Sequence, residues 1–84
     1  MEKRIEVSVL CFGITKDLVG KQRLMLQLPM GISVAGLKNE LQSQYPELSE
    51  INSVAIAVNS EYALDNQEIN DRDEVALIPP VSGG

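Results

Sequence analysis

Hydrophobic and polar residues alternate along the first part of the chain. Ile5-Glu6-Val7-Ser8-Val9-Leu10-Cys11-Phe12 keeps this period for most of its length, the period of a half-buried β-strand. Ile5, Val7, Val9 and Cys11 then share the core face. That makes Cys11 a small buried hydrophobe rather than a nucleophile. Gly13 breaks the strand, and residues 14–20 predict a short helical turn or loop. Alternation returns over residues 23–28, with Leu24, Leu26 and Leu28 on one face and Arg23, Met25 and Gln27 on the other. Pro29-Met30-Gly31 is punctuation.

The period then changes. Ser33 suits a helix N-cap. Val34, Leu37, Leu41 and Tyr45 recur every three or four residues and mark one buried stripe, with Lys38, Asn39, Glu40 and Gln42 largely off it. Gly36 costs such a helix about 1 kcal/mol relative to alanine, so packing against a sheet must stabilise it. Pro46 ends it.

Val54-Ala55-Ile56-Ala57-Val58, leading to Asn59, is continuously apolar, the pattern of a strand buried on both faces. Residues 61–64 predict a short edge strand, followed by a turn at Asp65-Asn66. A second polar turn follows at Asn70-Asp71-Arg72-Asp73. Its carboxylates read as solvated or capping groups rather than catalytic ones. Residues 74–78 are the final strand, with Val75 and Leu77 inward and Ala76 and Ile78 on the opposite face. The order is strand, strand, helix, strand, short strand, strand. One main helix packed on a mixed sheet is an α+β architecture, in which the last strand can pair beside the first.

Size and charge narrow the functions available. Eighty-four residues make one small domain, which buries somewhat over 60% of its unfolded surface and has little room for a deep cleft. A net charge of −5 without a basic stripe argues against nucleic acid and anionic membranes as partners. It suits a basic docking surface on a partner protein, and an ordinary solvated surface equally well. No apolar run is long enough to span a bilayer and no segment reads as a signal peptide, so a cytoplasmic location is expected. The single cysteine excludes a disulfide framework and a thiolate cluster. The absence of histidine removes the commonest metal ligand and general base.

The final strand stops at two prolines, and Pro79-Pro80-Val81-Ser82-Gly83-Gly84 follows. Proline donates no backbone hydrogen bond and favours a stiff extended chain. Six extended residues reach roughly 20 Å. Gly83 and Gly84 are slim enough for another protein's active site to close around their backbone. Such a tail reads either as an idle frayed end or as a rigid spacer presenting a reactive terminus. The abrupt join of strand, double proline and glycine favours the second. The expected organisation is a folded domain over residues 1–78 and an extended tail over residues 79–84.

The chain resembles the ubiquitin-like β-grasp sulfur carriers, and among them the small subunits of molybdopterin synthase. The residues that carry the resemblance are Ala57-Val58-Asn59, then Asp71-Arg72-Asp73-Glu74-Val75-Ala76, and the tail itself. Phe12 followed by Asp17-Leu18-Val19-Gly20 echoes the first strand of that family and its turn. The resemblance implies a β-grasp fold and a cycle of chemistry on Gly84. A ubiquitin-activating-like adenylating enzyme would use ATP to form an acyl-adenylate on its carboxyl group, and a persulfide donor would convert that to a thiocarboxylate. Gly84 would then deliver the sulfur to a pterin precursor inside the large subunit. The carrier would bind no cofactor or metal of its own, and the catalytic groups would belong to the large subunit. Phe12, Tyr62 and Ile78 match positions flanking the tail's exit and are docking candidates. Lys16 is a candidate for a rim ion pair. Tyr62 stands where an aliphatic residue is expected. The resemblance also implies a dimer of heterodimers.

Three rival functions share parts of this reading. A sulfur carrier for another pathway would use the same Gly84 chemistry, although thiazole carriers are generally shorter and lack the Pro-Pro-Val approach. A ubiquitin-like modifier would join Gly84 to lysines. An interaction module would leave the tail inert.

Overall fold

The computed structural model describes residues 3–48 and 53–79. Within them lie β1 (Arg4–Cys11), α1 (Ile14–Val19), β2 (Arg23–Pro29), α2 (Val34–Gln44), β3 (Ala55–Val58), β4 (Glu61–Tyr62) and β5 (Glu74–Ile78). The five strands form one sheet in the order β2-β1-β5-β3-β4. β1 pairs antiparallel with β2 and parallel with β5, and β3 pairs antiparallel with both β5 and β4. The sheet is mixed and the last strand lies beside the first, the α+β arrangement expected from the pattern.

The core lies on one face of that sheet. Ile5, Val7, Val9 and Cys11 of β1, Leu24, Leu26 and Leu28 of β2, and Val75 and Leu77 of β5 are all buried there. They pack with Val34, Leu37 and Leu41 of α2. Burial pushes the Cys11 thiol up from its ordinary pKa, because an apolar surrounding disfavours the thiolate. Its place is structural.

The start of α2 shows how the fold satisfies helix donors. Ser33 Oγ accepts from the Gly36 N–H at 3.2 Å, and the Leu37 N–H donates to the Ser33 carbonyl. The Val34 and Ala35 N–H groups donate to the carbonyls of Gln67 and Asp65. The orphan donors of Val34, Ala35 and Gly36 thus have partners, two of them supplied by a loop remote in sequence. Lys38 Nζ fixes the same loop through Asp65 at 2.8 Å. Gly36 also has a positive role: a Cβ placed there would lie 2.7 Å from Ile32 Cγ1. The chain entering the helix needs the space that a side chain would fill.

Two expectations need correction. Tyr45 is not a helical core position but the C-cap of α2, partly buried against the core. The apolar run at residues 54–58 is buried on both faces only in part. Val54, Ile56 and Val58 are buried, whereas Ala55 is exposed and Ala57 buried. Large residues alternate with alanines, so a half-open strand resembles a doubly covered one when only polarity is read. Ile69 and Leu48, also buried, lie in loops where no periodicity marks them.

Candidate tail-exit and docking site

The site is built where β5 ends. Cys11 of β1 is in register with Leu77 of β5, and Ile78 of β5 is in register with Ala55 of β3. Ile78 and Pro79 are half-buried. Phe12 follows β1 at this end and is 45% exposed. The sheet topology therefore brings Phe12, Ile78 and Pro79 to one end of two adjacent strands, although they are more than 60 positions apart in sequence.

The outer sheet face continues the apolar surface. In register across four strands lie Leu10, Ala76, Ala57 and Tyr62. Tyr62 sits on the short edge strand and is 76% exposed. With strands about 4.8 Å apart, it stands roughly 10 Å from β5. Ile78 and Tyr62 thus lie on the outer sheet face, and Phe12 follows β1 at the end where β5 finishes. Sequence reasoning placed Ala76 on this face and missed Leu10, Ala55 and Ala57 as parts of the surface. Leu10 carried a signal, since it occupies a position where the alternation called for a polar residue. Lys16 lies exposed on α1, next to the turn that follows Phe12. Arg23 and Glu74 approach to 3.8 Å at exposed positions and contribute little to stability there.

The turn between β1 and α1 is closely specified. Thr15 is 1% exposed, and its hydroxyl donates to the Phe12 carbonyl at 2.6 Å while accepting from the Phe12 N–H at 3.0 Å. The Thr15 N–H donates to the same carbonyl at 3.1 Å. Gly13 between them has φ 56° and ψ −132°, the first central position of a type II′ turn, which glycine alone adopts without strain. A Cβ on Gly13 would come 3.2 Å from Pro79 Cγ. The first residue of the tail rests on a bare backbone.

At the opposite end of β5 the carboxylates are occupied as capping groups. Asp71 Oδ1 accepts from the Glu6 N–H and Asp73 Oδ2 from the Asn70 N–H, each at 2.8 Å. Asp73 Oδ1 accepts from Asn59 Nδ2 at 3.0 Å. Among the described residues no group of three or more histidine, cysteine, aspartate or glutamate side chains is placed to hold a metal ion, and no helix is long and apolar enough to cross a membrane. Pro80, Val81, Ser82, Gly83 and Gly84, the remainder of the assigned tail, lie outside the described residues.

A mixed five-stranded sheet in this order, wrapped on one helix with its last strand central, is the ubiquitin-like β-grasp fold. Residues 9–84 match the ThiS family, and the chain belongs to that family. It is 40% identical over 81 residues to the molybdopterin synthase sulfur carrier subunit of Arabidopsis thaliana, covering 95% of this chain and 84% of that protein. Among solved structures, a putative molybdopterin converting factor subunit 1 from Pyrococcus furiosus superposes with a TM-score of 0.84. It is 29% identical, with 92% of this chain and 99% of that one covered. A complex of subunits 1 and 2 of the molybdopterin-converting factor from Helicobacter pylori contains a chain that superposes with a TM-score of 0.67. That chain is 27% identical, with 95% and 100% covered.

Proposed function

We propose that this chain is the sulfur-carrying small subunit of a molybdopterin synthase, with Gly84 as the carrier atom's residue. The observation that supports this reading most strongly is membership of the ThiS family through residue 84, together with near full-length similarity to a molybdopterin synthase sulfur carrier subunit. The geometry agrees. β5 is a central strand, so the tail that leaves it at Pro79 is anchored on a rigid body and departs beside an exposed apolar surface.

The chemistry on Gly84 follows from the weakness of a carboxylate as an electrophile. An activating enzyme joins the carboxylate to the α-phosphate of ATP and releases pyrophosphate. Persulfide sulfur then displaces AMP, and a thiol reduces the resulting acyl disulfide to leave the thiocarboxylate. The large subunit takes up the tail, passes the sulfur to the pterin precursor and returns Gly84 as a carboxylate. The complex of subunits 1 and 2 supports a large-subunit partner, docked through Phe12, Tyr62 and Ile78, with Lys16 at the rim. Pro79, Pro80, Val81, Ser82 and Gly83 form the inserted spacer. Assembly as a heterotetramer and a cytoplasmic location complete the proposal.

Intact mass tests it directly. After incubation with the cognate activating enzyme, ATP and a sulfur donor, the chain should gain the mass of one sulfur for one oxygen, localised to Gly84. No gain with an active enzyme sinks the proposal.

A further inference from the structure

We infer that the turn at residues 12–15 is a seat that aims the tail, with Gly13 and Thr15 as positioning residues for sulfur transfer. The inference rests on the proposed carrier role and adds two residues to it. A tail that must thread into another protein's active site needs a defined direction at its root, because an error there grows along every following residue. Roughly 1 Å of misplacement at a reacting atom can cost on the order of a hundredfold in rate.

The root of this tail has a lateral support in the turn at Gly13. Pro79 Cγ stands so close to Gly13 that a Cβ would sit 3.2 Å from it, tighter than comfortable van der Waals contact. Hydrogen bonds within the turn make the support rigid. Thr15 is buried, and its hydroxyl both donates to and accepts from the Phe12 backbone, while the Thr15 N–H closes the turn. Glycine at φ 56° then presents backbone rather than side chain to the proline ring. Pro79 contributes its own fixed φ. Two locked elements in contact fix the direction in which the chain arrives at Pro79. The same turn carries Phe12, so docking surface and tail root are referenced to one another through three bonds to a single residue. A purely local role for Thr15 would not require a proline from the far end of the chain to meet the turn at its glycine.

The test is a double-mutant cycle on the sulfur-transfer step, using chains already carrying the thiocarboxylate, with the large subunit and pterin precursor. Gly13→Ala should lower kcat at least about tenfold while the Kd for the large subunit changes less than about threefold. In a Pro79→Ala background the added methyl meets no ring and only the backbone strain at φ 56° remains, so Gly13→Ala should there lower kcat by a clearly smaller factor than beside Pro79. Thr15→Val should follow Gly13→Ala in lowering kcat, and Thr15→Ser, which keeps the hydroxyl, should restore most of it. Equal loss from Gly13→Ala in both backgrounds, or no loss in a folded Gly13→Ala protein, overturns the seat. Should Gly13→Ala not fold, the single Pro79→Ala chain carries the test: kcat should fall at least about threefold at unchanged Kd, and an unchanged kcat overturns the inference. The unsubstituted chain separates the two ideas. If it never acquires sulfur the carrier role fails, whereas if it transfers sulfur and the variants match it only the seat fails.

Discussion

The two ends of β5 are built from opposite materials. Where the strand begins, Asn59, Asp71 and Asp73 tie the backbone into a polar knot. Asn59 Oδ1 accepts from the Glu74 N–H, the Asn59 N–H donates to the Glu74 carbonyl, and the Arg72 N–H donates to the Glu6 carbonyl. Where the strand finishes, the surroundings are Phe12, Ile78 and Pro79, with Thr15 as the buried polar side chain. The first end resembles a binding site in composition, with carboxylates and an amide gathered together, yet each group serves a neighbouring backbone atom. The second end has almost no polar groups to offer and is the one from which the tail leaves. A polar cluster whose hydrogen bonds are mutually satisfied closes a fold, whereas exposed apolar residues beside a strand end leave surface to be covered.

This contrast predicts that substitutions at the two ends separate stability from function. The largest effect should come from deleting Gly84, which abolishes sulfur transfer and leaves Tm unchanged; a fall of several degrees on calorimetry would show the tail to be part of the folded body. Next comes the docking surface. Tyr62→Ala or Ile78→Ala should weaken binding to the large subunit by about 1–2 kcal/mol, roughly tenfold in Kd. Tyr62→Ala should do so without loss of stability, and titration calorimetry with the purified large subunit measures it.

At the polar end the order reverses. Asn59→Ala removes two side-chain bonds and puts alanine at φ 52°, so unfolding should become easier by about 2 kcal/mol, roughly 10 °C in Tm. Sulfur transfer per folded molecule should stay as it was. A transfer defect at a temperature where this variant is folded would dissolve the contrast. Arg72 has φ 68°, and Arg72→Gly should stabilise by about 0.5–1 kcal/mol through relief of that strain, partly offset by glycine's unfolded-state entropy.

The smallest effect concerns Cys11, whose pKa burial raises. The folded state holds the thiol proton more tightly than the unfolded chain does. The stability this contributes is fully present below the unfolded thiol's pKa, near 8.5, and falls as pH rises past it. Denaturation of the native chain and of Cys11→Ser across that range should diverge with pH in this sense.

Much of the fold was legible from period alone. The inward residues of β1, β2 and β5 and the stripe of α2 follow from alternation and from three-or-four spacing, because one covered face imposes its periodicity on each element. Ser33 was legible as a cap from residue type and position. The exposure of Ala55 in β3 was not, since alanine is apolar wherever it lies. Ile69 was not either, because a loop buries a residue according to what passes above it and not by any local repeat.

The sequence by itself determined which residues carry chemistry: an unreactive cysteine, no histidine, and a Pro-Pro-Val-Ser-Gly-Gly tail following a strand. Those are properties of residue types and their order, and they need no neighbours. Only the tertiary structure decided what stands beside the tail. Pairing β5 against β1 in parallel register brings Pro79 onto Gly13 and puts Phe12 and Ile78 at the same end of neighbouring strands, juxtapositions of positions far apart in the chain. No local pattern encodes them, because strand order and register are settled by burying the whole apolar face at once.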